Sequence, residues 1–332
     1  MLHHTAGLFA FACLLPALAG APGTALESVA LARHGSEVEI SIGGRPFTAY
    51  HFDSAQAKPY FQPLRTATGI VVTRDFPTGN VVPEEHQRDR SLEPHQRPMY
   101  FAHGDINGFN FWAEEAFSRF YGRQAMPYGR TVFRTLTEIK SGRDAGVLRA
   151  AFDLDGSGAG AIGSETQEFT FAGDASTRTI DCVFTLRADR GPLTINDTKE
   201  GTFAIRVAPE LNSPPGRMVN SRGGQGEPEI WGKPAEWVDY DGTIGGETVG
   251  IAIFDSPRNF RHPTTWHARA YGLFSVNPFG LRAFTGDAKQ DGSYRIPAGE
   301  SLTLRYRVLI HDGDYQHAHV ADAYGQYAVR ER

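Results

Sequence analysis

Along this chain apolar residues recur at alternate positions. Val38, Ile40 and Ile42 alternate with polar neighbours up to Gly43-Gly44. Ile180, Cys182, Phe184 and Leu186 do the same, as do Phe203, Ile205 and Val207, then Val249, Ile251 and Ile253, and finally Leu302, Leu304, Tyr306, Val308 and Ile310. Successive side chains on a strand point to opposite faces, so period two marks strands with one buried face. The only stretch with helical character, residues 111–121, is short and aromatic, and the glycine- and proline-rich segments between strands leave little room for long helices. No linker, low-complexity block or internal repeat interrupts the pattern. It predicts an all-β protein, one large antiparallel β-sandwich domain over residues 27–332, with function carried on long loops.

Composition narrows the class without changing the fold. With 40% apolar and 21% charged residues over 332 positions, the chain is able to bury a core. A formal charge of −5 with no cluster of Lys and Arg argues against nucleic acid as a partner, because phosphate binding needs such a cluster. Residues 6–19 form an apolar run too short to span a bilayer, and it ends in Ala17-Leu18-Ala19, which fits an A-x-A cleavage site. Residues 1–19 therefore read as a signal peptide, and the mature protein as periplasmic or secreted. Cleavage there removes Cys13 and leaves Cys182 alone, so no intramolecular disulfide is expected. No second apolar run is long enough for a transmembrane segment.

Candidate chemistry concentrates in four segments. Residues 261–280 (RHPTTWHARAYGLFSVNPFG) crowd His262, Trp266, His267, Arg269 and Tyr271 ahead of an Asn277-Pro278-Phe279-Gly280 turn. As a strand, 265–271 would direct His267, Arg269 and Tyr271 to one face and Trp266, Ala268 and Ala270 to the other. The His-Arg-Tyr face reads as the floor of a groove; the alternative is a His and an Arg satisfied by carboxylates within a rigid sheet. Residues 100–112 hold His103, Asp105 and Trp112 among aromatics. Residues 195–208 set Glu200 and Arg206 on the face opposite Phe203, Ile205 and Val207, with Lys199 on the inward parity. Residues 224–240 carry Glu227, Glu229, Lys233, Trp231 and Trp237. Aromatic faces beside guanidinium, amide and carboxylate groups suit a saccharide, whose C–H faces stack and whose hydroxyls need directional partners. Against this, Trp231, Trp237 and Trp266 read equally as core residues, as large aromatics usually are.

Six segments in order carry a family resemblance: KPYFQPLRTATGIVVTRDFP (58–77), YFAHGDINGFNFW (100–112), NDTKEGTFAIRV (196–207), GEPEIWGKPAEWVDY (226–240), the 261–280 stretch, and GESLTLRYRVLIHDGD (299–314). From about Val38 onward the chain resembles the bacterial family of unknown function often labelled "PmoA family protein" or "methane oxygenase PmoA". The resemblance implies an exported β-sandwich, in particular a galactose-mutarotase-like supersandwich used in carbohydrate metabolism. The activity in that label belongs to a membrane subunit with several transmembrane helices, which this sequence lacks, so the resemblance informs fold and compartment. Family members usually carry His-His-Arg where this chain has His95-Gln96-Arg97, and often Asp-His-Pro where it has Asp255-Ser256-Pro257. If the two replaced histidines, at Gln96 and Ser256, serve the family as metal ligands or acid–base groups, that step is altered here.

Three acid–base chemistries draw on the same residues. An epimerase-like reaction would use His103 or His267 as acid and Glu227, or second to it Glu200, as base. A glycoside hydrolase would set Glu200 and Glu227 roughly 5–10 Å apart. A lyase would use Lys199, Arg206 or Arg269 to neutralise a developing oxyanion. Trp112, Trp231 and Tyr271 supply stacking surface, and Asp105, Glu200 and Asn277 bind substrate. A non-catalytic carbohydrate-binding or scaffold protein would carry the same groups without a histidine and a carboxylate converging on one atom. A metal-dependent enzyme is the second alternative, although no HExxH, paired CxxC or Asp-rich calcium loop occurs, and His317 and His319 read as surface. Cys182 sits on an apolar parity and reads as an inert buried thiol. The expectation is an exported protein that binds a saccharide or another small molecule and acts on it, with no cofactor other than an optional divalent metal.

Overall fold

Two eight-stranded antiparallel sheets form the framework of the computed structural model, which describes residues 25–75, 93–118 and 126–331. The first sheet runs, in spatial order, β1 (Val29–His34), β2 (Glu37–Ile42), β3 (Arg45–His51), β4 (Tyr60–Phe61), β5 (Met99–His103), β11 (Gly201–Arg206), β16 (Leu273–Val276) and β15 (Trp266–Ala268). The second runs β12 (Arg217–Asn220), β13 (Trp237–Ile244), β14 (Glu247–Asp255), β18 (Ser301–Asp312), β9 (Thr177–Arg187), β8 (Gly160–Gly173), β7 (Gly146–Gly156) and β6 (Gly129–Lys140). A short ribbon pairs β10 (Leu193–Ile195) with β17 (Tyr294–Ile296). The expected large antiparallel sandwich is therefore the observed one.

Each alternation read from the sequence faces the space between the sheets. Val38, Ile40 and Ile42 of β2 and Phe203 and Ile205 of β11 meet Ile180, Cys182, Phe184 and Leu186 of β9 and Leu304, Tyr306, Val308 and Ile310 of β18 in one core. Phe101 stacks on Phe184 with ring centroids 4.2 Å apart, and Phe203 on Tyr306 at 5.2 Å, so the facing sheets touch through aromatic rings. Full burial of each such ring stabilises the fold by roughly 1.5–3 kcal/mol. Cys182 is buried in this core, and burial pushes its thiol well above the ordinary range. One polar chain crosses the same interior: the Tyr50 hydroxyl donates to Gln167 at 2.7 Å, and the Gln167 amide donates to Glu165 at 2.5 Å. Burial raises the Glu165 carboxyl to about 8, so it stays protonated at neutral pH.

Three local readings need correction. The strand expected over 265–271 ends at Ala268, because the chain must turn through 269–272 to pair Trp266, His267 and Ala268 with Val276, Ser275 and Phe274. In 111–121 the described part forms only a 3-10 turn, Glu115–Phe117. The C terminus is a helix, Val320–Arg330, which the strand pattern did not foresee; it sets Val320 and Tyr327 on Trp237, Phe254 and Leu309 and so covers the outer face of the second sheet. The signal-peptide reading at 1–19, with Cys13, and the end of the 111–121 stretch lie outside the described residues.

The outer face of the first sheet positions the site. Tyr60, Tyr100, Ala102, Ala204 and Leu273 pack there with Trp112. Beside them Glu114 is wholly buried between Arg97 (2.6 Å) and Lys58 (2.8 Å), and Lys58 also donates to the Trp112 carbonyl at 2.7 Å. This charge cluster fastens the 112–117 segment over β4 and β5 and leaves the β11, β16 and β15 end of the face to the functional side chains.

Candidate functional site

Strand parity and register bring the central residues together. On β11, Arg206 and the small Ala204 share the outer face, because Phe203 and Ile205 take the core, and Glu200 immediately precedes the strand. Ala204 pairs with Ser275 of β16, and Ser275 with His267 of β15, so His267 stands two strands across from Ala204 on the same face. Trp266 and Ala268 take the opposite, core side. Ahead of β11, Asn277 donates to the carbonyls of Thr198 (2.9 Å) and Lys199 (3.0 Å) and so shapes the approach to Glu200. Gly104 allows the closest approach here: its N–H reaches the Glu200 carbonyl at 2.6 Å, and a Cβ at Gly104 would lie 2.8 Å from the Glu200 Cβ.

His267 is the centre of the arrangement and only 2% exposed. Trp112 stacks on it at 6.1 Å and Trp231 meets it edge-on at 5.0 Å. Its Nδ1 lies 3.9 Å from a Glu200 carboxylate oxygen and has no hydrogen-bond partner. Burial lowers its pKa to about 4, against the pull of the Glu200 carboxylate and of a hydrogen bond to the Lys199 backbone, so the ring is neutral at physiological pH. Glu200 is itself about 29% exposed and forms an ion pair with Lys199 at 3.1 Å. Lys199, half exposed and ahead of the first residue of β11, does not take the inward parity expected of it, since the strand's alternation begins only at Gly201.

A hairpin turn forms the second wall. Glu227, at the start of a short helix Glu227–Ile230, accepts the Ala270 N–H at 2.7 Å and pairs with Arg269 at 3.2 Å. The Arg269 guanidinium lies 4.8 Å from the centre of Trp231 and 5.7 Å from that of Tyr271, and its Nε is buried without a partner. Gly272 closes the turn at φ 93°, in the left-handed region, where a Cβ would also strike Asn212 at 2.3 Å. Arg206 stacks over Tyr271 at 4.4 Å and donates to Gln96 at 2.5 Å; Gln96 donates in turn to the Tyr271 hydroxyl at 3.3 Å.

Eight of the expected residues thus converge: His267, Glu200, Lys199, Arg206, Glu227, Arg269, Trp231 and Tyr271. Four do not serve as expected. His103 lies on the inner parity of β5, edge-on to Phe279 at 5.4 Å and bonded to the Asn196 carbonyl at 2.8 Å, with burial lowering it to about 4. It faces away from His267, so the two histidines do not share a substrate atom. Asp105 accepts the Gly108 N–H and the Asn196 amide and closes a turn. Asn277 spends its side chain on backbone groups. Trp112 is 1% exposed, so it orients His267 and offers no open stacking surface. Gln96 and Glu93 join the site without having been expected as ligands. Of the two positions where the chain departs from the family pattern, Gln96 is in the site, whereas Ser256 bonds Glu331 beneath the C-terminal helix.

Among the described residues no three His, Cys, Asp or Glu side chains gather as a metal-binding set. His262 pairs with Asp255 at 2.7 Å, and His317 and His319 are exposed. A cavity of about 690 Å³ lies away from these residues, beside Glu115, Tyr128, Arg130 and Asp155. The site is recognised by its converging chemistry rather than by enclosed volume.

Fold and site together define a β-sandwich protein with a histidine, carboxylate and guanidinium cluster on one sheet face. The chain belongs to a family of unknown function, DUF6807, whose model matches residues 37–325. No curated protein matches it. Among solved structures it is similar to an α-galactosidase from Geobacillus stearothermophilus in complex with 1-deoxygalactonojirimycin (11% identity, TM-score 0.40), covering 88% of this chain and 41% of that one. It is also similar to a galactose mutarotase-like protein from Clostridium acetobutylicum (9% identity, TM-score 0.36, 87% and 99% of the two chains). A third is a putative aldose 1-epimerase from Escherichia coli (9% identity, TM-score 0.30, 86% and 98%). The chain spans about two fifths of the length of the α-galactosidase. No described helix is long and apolar enough to cross a membrane.

Proposed function

We propose that the protein binds a saccharide on the outer face of the first sheet and carries out acid–base chemistry on it. The observation that carries this reading is the accessible Glu200 carboxylate facing the unpartnered, buried Nδ1 of His267 across 3.9 Å. That gap is too wide for a direct hydrogen bond. A neutral ring carrying its proton on Nδ1 donates to the oxygen of a bridging group, and that group donates its own proton to the Glu200 carboxylate, as a sugar hydroxyl can. Glu200 is the group that takes and returns the proton, and His267 fixes the oxygen. Trp231 and Tyr271 offer half-open rings for stacking. Both Glu227 oxygens are engaged by the 269–272 turn, which leaves Glu200 as the carboxylate facing His267 and favours a single-base epimerase or lyase reaction over two-carboxylate hydrolysis. Residues 1–19 complete the reading as a cleaved export signal that places the protein in the periplasm or outside the cell.

The test is a panel of mono- and oligosaccharides, keto-sugars and uronic acids incubated with the protein and with Glu200→Gln, followed by NMR for epimer, anomeric exchange or unsaturated product. We expect turnover whose kcat falls at least about 100-fold in the variant while KM stays within a few-fold. Binding without turnover moves the protein to the non-catalytic class, and no binding by any saccharide overturns the reading.

A further inference from the structure

Charge around the site is unevenly matched. Lys199 is neutralised by Glu200 at 3.1 Å and Arg269 by Glu227 at 3.2 Å. Arg206 has no such partner among the described residues: its side chain is stacked on Tyr271, takes one neutral acceptor, the Gln96 amide oxygen, and meets no carboxylate in ion-pair contact. Glu93, a carboxylate whose charge acts on it, is turned to His95 at 3.3 Å. Behind it Arg74, which donates to the Glu93 and Gln96 carbonyls, adds a second positive charge. Burial lowers the pKa of Arg206, and burial and then the charge of Arg206 lower that of Arg74 to about 9. A half-buried guanidinium held flat against a ring, with most of its donors uncommitted, is arranged for a planar anion that arrives with the ligand.

Its placement relative to His267 sets the size of that ligand. Ala204, Ser275 and His267 stand side by side on adjacent strands, and Arg206 lies two residues along β11 from Ala204. With strands ~4.8 Å apart and ~3.3 Å per residue, the Arg206 and His267 Cα atoms are roughly 12 Å apart. That separation is of the order of one pyranose ring with its substituents.

We propose, resting on the saccharide reading above, that the ligand is an acidic sugar, a uronic acid or uronate-bearing glycan, whose carboxylate is held in a bidentate pair by Arg206 while its ring stacks toward Tyr271 and a hydroxyl bridges Glu200 and His267. Gln96 sets the plane of the guanidinium without satisfying its charge.

Calorimetric titration of the purified protein with D-glucuronate and D-galacturonate against D-glucose and D-galactose, with acetate as a sugar-free carboxylate, tests this. We expect the uronates to bind at least about tenfold more tightly than the neutral sugars at low salt, and the difference to vanish in Arg206→Gln and in Gln96→Glu, with acetate not binding. Gln96→Glu keeps the arginine and supplies an internal carboxylate, so it answers the question even if Arg206→Gln fails to fold. Equal binding of neutral and acidic sugars, unaffected by either substitution, overturns the acidic-sugar proposal and leaves the saccharide reading standing. Arg206-dependent binding of acetate as tight as that of the uronates overturns both, and so does the absence of binding by every probe.

Discussion

His267 shows how a single environment changes a side chain's role. Free histidine titrates near neutrality, but between Trp112 and Trp231, with almost no water, its charged form is disfavoured down to about pH 4. On the proposed reading the ring serves as a neutral hydrogen-bonding group and the proton chemistry falls to Glu200. We expect the His267 Cε1–H resonance to stay flat from about pH 8 to pH 5; a midpoint near 6.5 would show that the ring charges in the working range and would return it to the role of acid. Residue types in the sequence were enough to nominate His267, Glu200, Arg206 and Arg269, and strand alternation fixes the face of His267 and Arg206, whereas Glu200 precedes β11 and Arg269 lies in the turn after β15. They were not enough to rank the acids and bases. Glu227 looked the better base in sequence, yet its oxygens are committed to Ala270 and Arg269, and such commitments are made across 43 positions of chain.

The β15–β16 hairpin is the element on which the site depends. Residues 265–271 had the alternation of one continuous strand, but Gly272 and the pairing of His267 with Ser275 require a turn immediately after Ala268. The Tyr240 hydroxyl, donating to the Arg269 carbonyl at 3.0 Å, and the Glu227 carboxylate hold that turn from the second sheet and from the short helix. Replacing Glu227 by alanine leaves the Ala270 N–H and the Arg269 guanidinium unmatched, which should cost about 1–3 kcal/mol and lower the melting temperature by several degrees. Glu227→Gln retains an acceptor for Ala270 and should recover most of the loss. A melting temperature unchanged in the alanine variant would mean that the clamp does not hold the turn.

At the scale of the whole molecule, buried titratable groups oppose one another across pH. His103 and His267 have folded pKa values of about 4 against an ordinary 6.5, so the unfolded chain binds more protons between those values and stability is lost as pH falls from about 6.5 toward 4. Glu165 is raised from 4.5 to about 8, so the folded chain binds the extra proton and stability is lost as pH rises from about 4.5 toward 8. Of these three groups, the two histidines dominate the pH dependence below about 6.5 and Glu165 dominates it above. Glu165→Gln should remove the alkaline fall and gain on the order of a few kcal/mol by pH 8, read as the melting temperature against pH. A fall that persists in the variant would show that Glu165 does not control it. The sequence by itself determined the all-β class, the core parity of β2, β9, β11, β14 and β18, and the face on which Arg206 and His267 lie, because period two is a local property of strands. Only the tertiary structure decided that His103 and His267 face opposite sides, that Trp112 is buried, that the C terminus is a covering helix, and that Gln96 joins Arg206 and Tyr271 across 110 and 175 positions. Those facts follow from the strand order β5, β11, β16, β15 and from contacts between segments far apart in the chain, which no local alternation encodes.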